Sequence, residues 1–183
     1  MKKIAAVVLL SAVVAAPAFA ADSGVYAGIT MGNGKPNVTP SVAALSKSSE
    51  FIYGGLVGYK YNKNLAAEVQ FTGVGKATDV AGNTVKGDAF SVSAVGFLPL
   101  SDSFDLYGKL GFASTKTTSS AAATSLGATR SGVTYGLGAQ YNVNQNLGVR
   151  FGWDRYGIAT ANAVGVKSNA NANVMTVAAV YKF

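Results

Sequence analysis

Apolar and polar residues alternate along most of this chain. Near the C-terminus Met175, Val177, Ala179, Tyr181 and Phe183 share one parity, while Val174, Thr176, Ala178, Val180 and Lys182 share the other. Successive side chains of a β-strand point to opposite faces. The segment 173–183 therefore reads as a strand with an apolar ribbon that ends on Phe183. A strand in that position needs a neighbour for its backbone groups, and pairing with the first strand to close a barrel supplies one.

The same alternation predicts seven earlier strands, at 24–33, 50–61, 65–73, 87–98, 104–114, 131–141 and 147–156. In the third, Leu65, Ala67, Val69 and Phe71 oppose Ala66, Glu68, Gln70 and Thr72. In the seventh, Leu147, Val149, Phe151 and Trp153 oppose Gly148, Arg150, Gly152 and Asp154. The connections 62–64, 99–103 and 142–146 are short and polar. Those at 34–49, 74–86, 115–130 and 157–172 are long and rich in Ser, Thr, Ala, Asn and Gly, and 115–130 is expected to be a mobile loop. Short turns at one end and long loops at the other are the pattern of an up-and-down transmembrane barrel. An even number of strands puts both termini on the short-turn side, which is the periplasmic side.

Alternation alone leaves open which face looks outward, and composition decides it. Only 13% of residues are charged and 22 are Gly, with a mean hydropathy of +0.28. A water-soluble barrel would carry about 25–35% charged residues on its outer face. The less apolar face here is Gly, Ser, Ala and Thr with scattered charges, which suits a narrow filled lumen. The apolar face is therefore expected to meet lipid. Arg155 is the one charge of outward parity and sits at a strand end, within reach of headgroups. Tyr59, Tyr61, Tyr141, Tyr181 and Phe183 fall near the short-turn ends, and Phe51, Tyr53, Phe71, Phe112 and Trp153 nearer the other, as two aromatic girdles would.

The N-terminus reads as a cleavable signal peptide over 1–20. Lys2 and Lys3 precede the apolar run 4–16, and Ala18-Phe19-Ala20 fits a small-x-small cleavage site. The run is short of the roughly 20 residues of a spanning helix. Cleavage after Ala20 leaves one barrel domain, 21–183. No Cys lies near the site, so no lipid-modified N-terminus is expected.

The chain has no Cys and no His. That excludes disulfides, thiolate metal sites, and the His-dependent bases of serine- and aspartate-type membrane hydrolases, so no enzyme, cofactor or metal is expected. The formal charge of +7 includes Lys2 and Lys3 and is spread along the chain, unlike the clustered stripe of a nucleic-acid binder. Arg130, Arg155 and Lys167 are candidates for lipid headgroups or lipopolysaccharide.

Three segments, NKNLAAEVQF (62–71), PLSDSFDLYGKLG (99–111) and GAQYNVNQNLGVRFGW (138–153), carry a family resemblance. The chain resembles the transmembrane domain of OmpA-type eight-stranded outer-membrane proteins, without their periplasmic peptidoglycan-binding domain. The resemblance implies a charged lumen network acting as a gate, in which an interior Glu pairs with an Arg or a Lys. Glu68 and Arg150 match the Glu and the Arg. Lys109 and Gln140 match further lumen positions that are charged in the family. The gating Lys falls on Ala94 or its neighbour, with Lys109 as a substitute. The same four residues have inward parity on four different strands, where buried charges must pair.

The C-terminal strand, with Tyr181 and Phe183, is the expected signal to the barrel-assembly machinery. The expected role is that of a monomeric structural and interaction barrel in a Gram-negative outer membrane, contacting lipopolysaccharide, host or phage. The alternative is a narrow gated channel lined by Glu68, Lys109, Gln140 and Arg150.

Overall fold

The computed structural model describes residues 23–38, 50–78, 84–121, 124–158 and 170–183. The signal-peptide segment and Lys167 lie outside the described residues. Eight strands, β1 (Gly24–Val38), β2 (Glu50–Lys60), β3 (Leu65–Thr78), β4 (Thr84–Ser101), β5 (Phe104–Ala121), β6 (Thr124–Asn142), β7 (Leu147–Ile158) and β8 (Ala170–Lys182), follow one another in order. Each pairs antiparallel with its sequence neighbours, and β1 pairs with β8 to close the barrel. Closure leaves no free edge within the wall.

Ladder partners do not return to their starting point around the barrel. From Glu50 the partners run through Gly34, Val174, Asp154, Gly136, Lys109, Val95 and Ala66 back to β2 at Lys60, a stagger of ten residues. Such a shear tilts the strands against the axis. Residues distant in sequence are thereby brought face to face inside.

The two Asn-rich turns are built alike. The Asn62 side-chain oxygen accepts from the backbone N–H groups of Asn64 and Leu65, at 2.8 and 2.9 Å. Asn144 does the same for Asn146 and Leu147, at 2.9 and 2.7 Å. An Asn oxygen two residues back mimics a backbone turn, which is why N-x-N-L ends one strand and starts the next. Asn144→Ala is expected to cost about 1 kcal/mol, at about 0.5–1.5 kcal/mol for each exposed hydrogen bond, measured as a lower denaturant midpoint of the folded barrel.

The outer wall is apolar. Ile29, Phe71, Leu110, Phe112, Leu137, Phe151 and Met175 are all exposed, whereas Val95 and Val180 are buried in the lumen. At the short-turn rim Tyr59 meets Tyr61 and Tyr181 meets Phe183, each edge-on at 5.1 Å, while Tyr135 and Trp153 meet at 6.2 Å nearer the other rim.

Two expectations are corrected. The segment 115–130 is no loop: the β5–β6 ladder continues to Ala121 opposite Thr124. Backbone pairing needs no apolar face, so the ladder goes on where the apolar alternation of the sequence stops. Arg155 is also not alone on the outer wall. Asp88 and Lys116 are exposed register partners on the prolonged β4 and β5.

Candidate functional site

The lumen is built on glycine gaps. Tyr26, Gly58 and Glu68 are successive register partners on β1, β2 and β3. Gly58 has no side chain, so the Tyr26 ring lies across β2, and a Cβ at Gly58 would collide with it. The Tyr26 hydroxyl then donates to Glu68 Oε2 at 3.0 Å. Lys109, Gly136 and Asp154 repeat the arrangement on β5, β6 and β7. A Cβ at Gly136 would strike Asp154 Oδ1. Tyr107 lies over Gly138 and Gly152 in the same way, and its hydroxyl donates to the Phe151 carbonyl at 3.4 Å.

Glu68 and Arg150 meet across the lumen from β3 and β7. Arg150 Nη1 donates to Glu68 Oε2 at 2.6 Å, and both residues are 5% exposed or less. The other two guanidinium nitrogens both donate to Gln140 Oε1, Nε at 3.1 Å and Nη2 at 3.0 Å. The rings of Tyr107, Tyr26 and Phe97 surround it at 4.9, 5.5 and 5.6 Å from their centroids. A planar delocalised cation stacks on such faces, and the Lys60 ammonium also lies over the Phe97 ring, 4.4 Å from its centroid. The network extends toward the short-turn mouth. Gln140 donates to Asn142 Oδ1 at 2.8 Å, Asn142 donates to Asp105 Oδ2 at 3.0 Å, and Lys182 donates to Asn142 Oδ1 at 3.0 Å. Beyond it a cavity of about 570 Å3 is lined by Tyr26, Lys60, Asn142 and Lys182 among others.

Lys109 belongs to a separate pair. Its ammonium lies 3.0 Å from Asp154 Oδ1, an ion pair in which that oxygen has no aligned hydrogen-bond donor. The ammonium donates instead to Gln70 Oε1 at 2.8 Å. Lys109 is thus tied to Asp154 and Gln70 and makes no ion pair with Glu68. Ala94, matched to the second gating lysine, is exposed on the outer face, and its inward neighbours Ser93 and Val95 are uncharged. The geometry therefore joins Glu68, Gln140 and Arg150 and sets Lys109 apart.

Sequence reasoning passed over Tyr26, Gln70, Asp105, Asn142, Asp154 and Lys182 as site residues. Parity already put Asp154 and Gln70 inside; what was missing was the register that pairs each of them across a glycine or across the lumen. Of the headgroup candidates, Arg155 is half-buried on the outer wall. The Arg130 side chain and all of Lys167 lie outside the described residues. Tyr181 and Phe183 are exposed at the short-turn rim.

The sequence matches the family described as outer membrane protein beta-barrel domain over residues 6–183. The chain belongs to that family. It is an outer-membrane β-barrel protein, and solved barrels of the same kind share its fold. Neisserial surface protein A superposes with a TM-score of 0.73 at 18% identity, covering 88% of this chain and 99% of that one. The N-terminal barrel domain of Pseudomonas aeruginosa OprF gives 0.62 at 13% identity over 88% and 99%. Ail, the attachment invasion locus protein of Yersinia pestis, solved with the heparin analogue sucrose octasulfate, gives 0.60 at 16% identity over 87% and 99%. Comparison with curated proteins gives no match.

Proposed function

We propose that this outer-membrane barrel is a structural and interaction protein, neither an enzyme nor an open pore. It holds its prolonged β-hairpins outside the cell and both termini in the periplasm. The observation that carries the reading is the state of Arg150. One carboxylate, one amide oxygen and three aromatic rings hold it in the middle of the lumen. Opening a water path there would strip a buried guanidinium of its partners, which costs several kcal/mol. Lys109, the cation that could take over Glu68, is engaged by Asp154.

The work of the molecule then falls to its surfaces. The wall and its rims meet outer-membrane lipid and lipopolysaccharide, with Arg130, Arg155 and Lys167 as headgroup contacts. The hairpins meet host or phage molecules. The strand ending on Tyr181 and Phe183 addresses the barrel-assembly machinery, and the folded protein is a monomer. Ail, a barrel of the same fold, is by its name an attachment protein, a role of the kind proposed.

Planar-bilayer recording tests this. The purified protein is expected to give no discrete conductance steps, and loss of the protein from cells is expected to impair membrane integrity or adhesion. Discrete steps that Glu68→Ala alters would establish the gated channel instead.

A further inference from the structure

The inward face of the barrel changes character along its length. Near the long hairpins Ile52, Ala113, Tyr156 and Val174, from four different strands, pack into one buried apolar cluster. Toward the short turns Leu56, Val95, Phe97, Tyr107 and Val180 belong to a second, separate one. Between the two the inward positions are polar or glycine. On β5 they run Ala113, Gly111, Lys109, Tyr107, and on β8 Val174, Thr176, Ala178. Gln70, Ser93 and Asp154 complete this middle layer, each 6% exposed or less.

Tyr156 bridges the upper cluster. It stands on β7, and its hydroxyl reaches the Thr72 and Ser91 side chains on β3 and β4, the facing wall. That wall leaves room for the ring, because Ser91 and Ala113 are small and are register partners on β4 and β5. Tyr156 and Ile52 are both buried. Beneath the ring Lys109 is held by Asp154 and Gln70 within the middle layer. A polar layer with packed apolar side chains above and below it reaches bulk water only when one of them opens.

We propose that Tyr156, packed with Ile52, Ala113 and Val174, closes the lumen from the long-hairpin side, in series with the Arg150 plug and independently of it. The Lys109–Asp154 layer is then shut off at both ends. This deepens the closed-lumen reading given above and rests on it. Arg150 closes the short-turn half, and a barrel that lost the Glu68–Arg150 contact would still be shut by Tyr156.

The chain has no cysteine, so Ser93→Cys puts a single thiol in the enclosed layer. Ser93 lies on β4 between Ser91, which Tyr156 reaches, and Val95 and Phe97 of the lower cluster. The test uses the folded barrel in phosphatidylcholine nanodiscs, where both mouths meet solution. Silver ion is added, and the thiol left unreacted is counted by maleimide labelling after unfolding. The Ser93→Cys barrel is expected to react slowly. Adding Tyr156→Ser is expected to speed the reaction at least about tenfold, as loss of a local closure does. Tyr156→Phe keeps the ring and is expected to protect like the parent. Ile52→Ala, a milder change to the same cluster, is expected to react faster than Tyr156→Phe and carries the test if Tyr156→Ser does not fold. A fast reaction in the Ser93→Cys barrel itself, or equal rates in all these variants, would overturn the upper closure. In planar bilayers the Tyr156→Ser barrel with Ser93 intact is expected to stay silent, because the Arg150 plug remains. Conductance by that variant while the parent is silent would overturn the series arrangement alone. Conductance by the parent would overturn the closed-lumen reading beneath it.

Discussion

Glu68→Gln is expected to lower barrel stability by about 3–5 kcal/mol, the cost of leaving one member of a buried ion pair uncompensated. The substitution changes shape very little. A glutamine can still accept from the Tyr26 hydroxyl, which now lies 3.0 Å from Glu68 Oε2. What it removes is the negative charge 2.6 Å from Arg150. Gln140 supplies Arg150 with a neutral acceptor only, and the surrounding rings offer quadrupoles in place of a full charge.

The excess positive charge is therefore the source of the loss, and this has a second consequence. Arg150→Met in the Glu68→Gln background is expected to return much of the stability, because an unbranched apolar side chain packs against Tyr26, Phe97 and Tyr107 with no charge to compensate. Urea unfolding of both variants in lipid vesicles, followed by heat-modifiable gel migration, checks the pair. A Glu68→Gln barrel as stable as the parent would contradict the pairing. A double variant no better than the single would show that charge is not the cause.

Gly136→Ala is the second large effect expected, about 1–3 kcal/mol from overpacking, with a further loss from separating Lys109 and Asp154. The new Cβ would lie 2.7 Å from the Trp153 carbonyl oxygen and against Asp154 Oδ1. The first is backbone within a closed ladder and cannot give way. The second can move only by leaving the Lys109 ammonium. Gly96→Ala serves as the comparison. Gly96 lies on the outer wall, and its nearest neighbour would be the Gly108 carbonyl oxygen at 4.0 Å. A methyl group there meets lipid, and little change is expected. If both alanine variants unfold at the parent's urea midpoint, the glycine gap is not what holds the Lys109–Asp154 pair.

The contrast between these two glycines shows how far the amino-acid order carries the structure. Alternation with period two is local: each residue's face follows from its neighbour's, and lipid outside demands an apolar ribbon on one face of every strand. The eight strands, their up-and-down order, the outward aromatics and the inward parity of Glu68, Lys109, Gln140 and Arg150 were legible for that reason. The N-x-N-L turns were legible as well, since their hydrogen bonds span two or three residues. Backbone pairing needs no apolar face, and the continued β5–β6 ladder through Ala121 and Thr124 left no mark in the apolar pattern.

Partnership inside the lumen belongs to the tertiary structure alone. Whether Lys109 meets Glu68 or Asp154 depends on a ten-residue stagger accumulated over eight pairings, and on which inward position between two strands is a glycine. Parity names the residues that share the lumen, but only closure of the barrel sets their heights against one another, because depth along a tilted strand is measured from the whole ring.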